Sequence, residues 1–306
     1  MNLAPVILFV YNRPDHTSRC LNALALNKYA SATELIIYAD GPRPGAKKEE
    51  LHHIELVRKL IQSEKRFKQT TINISEKNKG LANSIIDGVT ETVNKYGSVI
   101  VLEDDLICAE HFLSFMNRAL SLYGNNDQVA CISGYIYPVK VPLPDLFFLK
   151  GADCWGWATW KRSWDLFEKD GAKLLAQIRA QNLSGDFNFN DSYPYTKMLE
   201  DQINGKNKSW AIRWYAAAYL AGKLTLYPGK SLINNIGFDG TGTHSGKQKI
   251  LSSNFSKEEL EIQQIVISEN TEAKNKIAAY FRQLTDRSLK TILKNRFSSV
   301  LAKFRE

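Results

Sequence analysis

Apolar residues in the first hundred positions fall in short unbroken runs, and the polar stretches between them repeat hydrophobics at helical spacing. Val6 to Tyr11 is the first run, closed by Asn12-Arg13-Pro14. Leu35 to Ala39 is the second and Val99 to Leu102 the fourth, while Thr70 to Ile74 between them reads as a third, more polar strand. Runs of this length, rich in β-favouring residues and bounded by turn signals, predict strands buried on both faces. Between the first two, Leu21, Leu24 and Ala25 recur at helical spacing behind Asp15, which is placed to cap that helix. A charged helix is predicted over 47–62, and another opens at Gly80-Leu81-Ala82. Strand and helix alternating in this way predict an α/β, Rossmann-like fold. Its central sheet is mixed and mainly parallel, flanked by helices, and the loops after its parallel strands share one edge.

From Ser133 to Gly246 the pattern turns aromatic and irregular, with Trp155, Trp157, Trp160 and Trp164 close together and Trp210 and Trp214 further on. Such rings either fill a core or face sugar rings, and Gly156 between two tryptophans suits a bend beside a pocket. Beyond Lys249 helical spacing returns. Leu289, Ile292, Leu293, Phe297, Val300, Leu301 and Phe304 share one face, with Lys290, Lys294, Arg296 and Lys303 largely off it. A basic amphipathic helix of this kind can lie on an anionic membrane surface or pack on its own domain. The chain divides on these patterns into 1–250, itself in halves 1–106 and 107–250, and a helical basic extension over 251–306, its tail expected to end the chain as a helix.

The fourth run delivers Glu103-Asp104-Asp105. Acids at the carboxyl end of a buried strand sit where open α/β sheets bind ligands. Adjacent carboxylates repel and resist desolvation, so they call for a cation or many donors. Two readings remain: a solvated acidic turn capping the next helix, or a hard divalent ion that also bridges substrate phosphates.

Composition narrows the partners. A net charge of +8 and a pI near 9.1 favour anionic ligands, but six Lys or Arg and no acid lie between Arg287 and Arg305, so the body is nearly balanced. That argues against a nucleic-acid face. Cys20, Cys108, Cys131 and Cys154 show no metal spacing and read as buried thiols of a reducing compartment. No stretch approaches the ~18 apolar residues of a membrane span, and the expected location is the cytoplasm, with peripheral contact to the inner membrane face through 287–305. The first strand is followed by no Gly-x-Gly-x-x-Gly, and no Walker loop occurs.

An ordered set of motifs carries a resemblance. It comprises Tyr11-Asn12-Arg13-Pro14, Ala39-Asp40-Gly41, Asn78-Lys79-Gly80-Leu81, Leu102-Glu103-Asp104-Asp105 and Gly156-Trp157-Ala158-Thr159-Trp160. Trp210-Ala211-Ile212-Arg213-Trp214 and Asn235 to Gly240, running to His244, complete it. Over residues 4 to 247 the chain resembles bacterial glycosyltransferases of the GT-A type, in the group related to family 2 and to N-acetylglucosaminyltransferase I. The resemblance implies a GT-A glycosyltransferase domain over 1–250, with a nucleotide-binding half and an acceptor-side half.

It further implies that Tyr11, Arg13 and Asp40 hold the base and ribose of a nucleotide-sugar, and that Asn78, Lys79 and Gly80 close over it. Asp105 would ligate Mn2+ or Mg2+, with Asp104 at the ribose, Glu103 at the sugar, Trp157 walling the sugar pocket and His244 as a second metal or diphosphate contact. Inverting transfer also needs a carboxylate to take the acceptor's proton. N-acetylglucosaminyltransferase I has an acidic pair beside a tryptophan here, whereas this chain reads Trp210-Ala211-Ile212-Arg213-Trp214. Asp201 is the first candidate base and Asp239 the second. The implied activity is transfer of a hexosyl or N-acetylhexosaminyl group, UDP-sugar favoured, to a saccharide or lipid-linked glycan in cell-envelope polysaccharide synthesis. The alternatives are a sugar nucleotidyltransferase and a non-catalytic carbohydrate-binding module on the same fold.

Overall fold

The computed structural model describes residues 2–237 and 259–284. The tail at 287–305 lies outside the described residues. The four predicted strands form, within a residue of their expected ends, as β1 (Val6–Val10), β2 (Glu34–Ala39), β3 (Gln69–Ile74) and β4 (Ser98–Glu103). They are followed by β5 (Leu106–Cys108), β6 (Val129–Ser133), β7 (Leu146–Lys150), β8 (Trp157–Trp160), β9 (Leu224–Pro228) and β10 (Ile233–Asn235). Eight of these make one sheet in the order β3-β2-β1-β4-β8-β6-β9-β7, and β10 pairs with β5 in a small second sheet. β1, β2, β3 and β4 run parallel, whereas β8 enters antiparallel between β4 and β6. β6 and β9 are parallel, and β7 closes the sheet antiparallel to β9. The mixed, mainly parallel α/β sheet expected from the run pattern is therefore what forms.

Helices cover both faces. They are α1 (Pro14–Ala25), α2 (Lys48–Gln62), α3 (Leu81–Tyr96), α4 (Phe112–Leu122) and the short α5 (Lys161–Trp164). Then follow α6 (Gly171–Ala180), the short α7 (Ser184–Phe187), α8 (Tyr195–Ile203), α9 (Ala211–Leu220) and a helix over 271–284. The pleat divides the core: Val6, Leu8 and Val10 of β1 join residues of α1, α2 and α4, while Ile7 and Phe9 join α3 and a tryptophan cluster. Full burial of a side chain such as Leu8 is worth on the order of 2 kcal/mol. The α1 start differs from expectation. Pro14 takes the first helical position, where its missing N–H costs nothing, so Asp15 falls inside the first turn instead of capping it.

The second half is more regular than its composition suggests. Residues 259–284 also pack onto the body: Phe148 bridges Glu269, and Ala273, Ile277, Ala278 and Phe281 share a core with Phe147, Leu149 and Tyr227. Asp186 anchors that helix by accepting from Lys274, Tyr219 and Lys150.

Candidate active site

The carboxyl ends of β1, β2, β3 and β4 lie along one edge, because these strands are parallel, and the motifs of the first half meet there. Arg13 Nη1 donates to Asp105 Oδ2 at 2.9 Å and stands 4.0 Å from Asp104 Oδ1. One guanidinium thus faces a turn of three carboxylates. Burial, then the charge of Asp105, pushes the Asp104 carboxyl up, and burial with both neighbouring acids pushes Glu103 up as well, with Arg13 opposing in each case. The acid turn is under-compensated and favours a second positive group.

Among the described residues no three His, Cys, Asp or Glu side chains converge into a metal cage. The donor set instead suits an ion shared with a ligand. Asp105 is about one-fifth exposed at the end of the acid turn, and a hard ion bound through one carboxylate completes its shell with phosphate and water oxygens.

The segment before the second metal candidate also reaches this turn. β10 pairs with β5, and the Ile236 amide donates to the Asp105 carbonyl at 2.9 Å. A Cβ on Gly237 would meet Asp105 Oδ2 at 2.3 Å, so the backbone there passes as close as a side chain would. His244 and Asp239 lie outside the described residues.

Asp40 stands at the predicted edge, where its carboxylate is held by loop amides. Its Oδ1 accepts from the Gly41 and Lys79 amides, both at 2.8 Å, and its Oδ2 from the Gly80 amide at 2.9 Å. Asn78 Nδ2 donates to the Gly41 carbonyl at 2.8 Å. A Cβ at Gly41 would lie 2.5 Å from the Lys77 backbone, so only glycine lets these loops approach. Asp40 and Asn78 therefore shape this loop by tying the end of β2 to the start of α3, while Lys79 is exposed.

Tyr11 is held from α2. Its hydroxyl donates to Glu50, which also accepts from Arg43 Nε at 2.9 Å, and the Arg43 guanidinium lies 6.0 Å from the Tyr11 ring centre. Neither Glu50 nor Arg43 stands out in the sequence. Arg43 follows the Gly41-Pro42 turn after β2, and that position was the available signal.

One expectation changes. Trp157 is fully buried, stacked 5.4 Å from Trp210 and packed near Trp164 and Trp214, so its ring fills the core and walls no open pocket. The partly exposed tryptophan is Trp155, two residues earlier. Asp201 lies on α8, where Lys197 donates to its carboxylate and Lys206 stands 3.7 Å away. The Lys197 hydrogen bond holds it below the usual carboxylate range. Lys197 and Lys206 both lie outside the acid turn. A carboxylate that sequence reasoning passed over, Asp153, sits in the loop entering β8.

No helix among the described residues is long and apolar enough to cross a membrane. No family model and no curated protein matches the chain. Among solved structures it is similar to S. aureus TarS. For residues 1–349 of that protein the TM-score is 0.41, with 13% identity over 76% of this chain and 60% of that one. The same segment in complex with UDP-GlcNAc gives 0.42, with 13% identity over 76% and 58%. A further TarS structure gives 0.33, with 14% identity over 49% and 25%. The chain spans between a quarter and three-fifths of these structures' lengths.

Proposed function

We propose that the chain is an inverting, metal-dependent glycosyltransferase that moves a sugar from a nucleoside-diphosphate sugar, UDP-sugar favoured, to a saccharide or lipid-linked glycan. One observation carries this reading: the carboxyl edge of the parallel strands gathers Arg13, the Asp40-tied loop and an under-compensated acid turn. Acids without enough cation accept a hard ion, an ion recruits a diphosphate, and the leaving diphosphate is the group whose growing charge needs support. Asp105 would hold Mn2+ or Mg2+, which would neutralise charge on the departing phosphate. The chain's own residues do the remaining work. Tyr11, fixed by Glu50, and the Asn78–Gly80 loop border the nucleotide; Arg13 offers a guanidinium to the phosphates; Asp104 accepts from a ribose hydroxyl and Glu103 from a sugar hydroxyl.

The test is a panel of nucleotide-sugars, UDP-N-acetylglucosamine first, assayed for binding and slow hydrolysis with manganese, with magnesium and with chelator. Metal-dependent release of nucleoside diphosphate from one donor is the expected result. Release of pyrophosphate from a nucleoside triphosphate and a sugar phosphate would replace the proposal with nucleotidyl transfer. No binding under any condition would remove it.

A further inference from the structure

Asp153 is the acid of the second half that the site leaves unused. It stands in the loop 151–156 that feeds β8. Because β8 pairs antiparallel with β4, Val101 opposite Trp157, this loop arrives at the carboxyl end of β4 beside the acid turn. Cys154, next in the chain, feels the charge of both Asp153 and Glu103. The carboxylate is held firmly: Oδ1 accepts from the Cys154 amide at 2.6 Å and the Trp155 amide at 3.3 Å, and Oδ2 from the Tyr227 hydroxyl at 3.1 Å.

Its surroundings are rings with polar tips. Trp155 lies edge-on to the buried Tyr135 at 4.6 Å, and Tyr135 edge-on to Tyr137 at 5.4 Å. The Tyr137 and Tyr195 hydroxyls are 3.3 Å apart, and Tyr193 lies 4.6 Å from Tyr195. Tyr137, Asp153, Trp155, Tyr193 and Tyr195 are all partly exposed. Partly exposed rings around a fixed carboxylate match a sugar, which offers an apolar face to rings and hydroxyls to an acceptor.

We propose that this surface binds the acceptor saccharide and that Asp153 takes the proton from its reacting hydroxyl. The inference rests on the transferase reading above. In the step, the acceptor oxygen forms a bond to the donor's anomeric carbon and its proton passes to Asp153. The bond from that carbon to the diphosphate oxygen breaks, and the nucleoside diphosphate leaves with the electron pair. Each Asp153 oxygen can accept two hydrogen bonds, so Oδ2 keeps a site beyond the Tyr227 hydroxyl.

The electrostatics agree. Burial raises the Asp153 carboxyl, and the two amides and Tyr227 only partly offset it. Such a carboxylate is more basic than the lysine-held Asp201. The titratable groups facing it are Tyr135, Tyr137, Tyr195, Tyr227, Cys131 and Cys154, each with its ionisation pushed up by burial and so neutral at working pH.

The experiment measures UDP release from UDP-N-acetylglucosamine, to water and to p-nitrophenyl glycosides, in wild type, Asp153→Asn and Tyr227→Phe, with donor affinity by calorimetry. Asp153→Asn keeps the shape and is expected to lower turnover at least about 100-fold while donor affinity stays within about twofold. Tyr227→Phe removes a hydrogen bond that favours the ionised carboxylate, so the acid limb of its pH profile moves to higher pH. Thermal melts establish that both variants fold. Turnover in Asp153→Asn within about tenfold of wild type, or a loss matched by lost donor affinity, overturns the role of Asp153. An acid limb unmoved in Tyr227→Phe also counts against it. A wild type that binds no nucleotide-sugar overturns the transferase reading instead, and so the two failures are distinct.

Discussion

Arg13 Nη1 donates to Asp105 Oδ2 at 2.9 Å while standing 4.0 Å from Asp104 Oδ1, so one cation serves two carboxylates of a three-acid turn. Removing it leaves part-buried acids without a counter-charge. Arg13→Met is expected to lower stability by about 2 kcal/mol in urea unfolding at neutral pH. Millimolar Mg2+ or Mn2+ should then raise the midpoint more in the variant than in wild type, because the ion takes the guanidinium's place. Equal shifts in the two proteins would dispose of the shared-cation account.

Asp40 has a loop to hold. Asp40→Ala should cost about 2 kcal/mol, since bonds from amides to a carboxylate are charge-assisted. Asp40→Asn should cost less, because Oδ1 carries two of the three bonds and an amide oxygen can replace it. Hydrogen exchange at the Lys79 and Gly80 amides should accelerate in the alanine variant. Unchanged exchange there would mean that the loop keeps its shape by other contacts.

Gly237 tests the close approach beside Asp105. The alanine Cβ would fall 2.3 Å from Asp105 Oδ2, too near for either group to stay. Gly237→Ala should destabilise by about 1 to 3 kcal/mol and weaken metal-dependent donor binding. Wild-type calorimetry in this variant would show that the backbone yields without disturbing the acid.

The Asp186 cluster gives a pH prediction. Burial alone would raise this carboxyl, but Lys274, Tyr219 and Lys150 outweigh it and lower it from 3.8 to about 2. A lowered folded value stabilises above the unfolded one and loses that contribution as pH falls from 3.8 through about 2. The helix over 271–284 should therefore loosen in that window, read by limited proteolysis with an acid protease. Asp186→Asn should show the looser pattern already at neutral pH, read there with a neutral protease, at a cost of about 1 kcal/mol after allowing for its partial exposure. Identical cleavage in the two proteins would sink the anchor.

The first half was legible because parallel strands buried on both faces must be apolar at every position, and Val6–Val10 and Val99–Leu102 are. The acids after β4 announced themselves for the same reason: charge ends a run that could not otherwise stop. Trp157 was misplaced on that very account. β8 is buried throughout, so no alternation separates a ring facing the core from one facing a ligand. Asp153 was invisible because its position depends on β8 running antiparallel, and topology of that kind leaves no local pattern. Arg43 and Glu50 meet Tyr11 only through the packing of α2.

The reversed strand has a mechanical consequence. A loop that feeds β8 reaches the ligand edge on its way into the sheet, whereas the loops beside it reach that edge on their way out. Lengthening or exchanging 151–156 therefore pulls on β7 and β8, and on β6 and β9 through Cys131 and Tyr227, and leaves the pairings of β1, β2 and β3 untouched. Descendants of this chain could change what meets Trp155 without renegotiating what meets Tyr11.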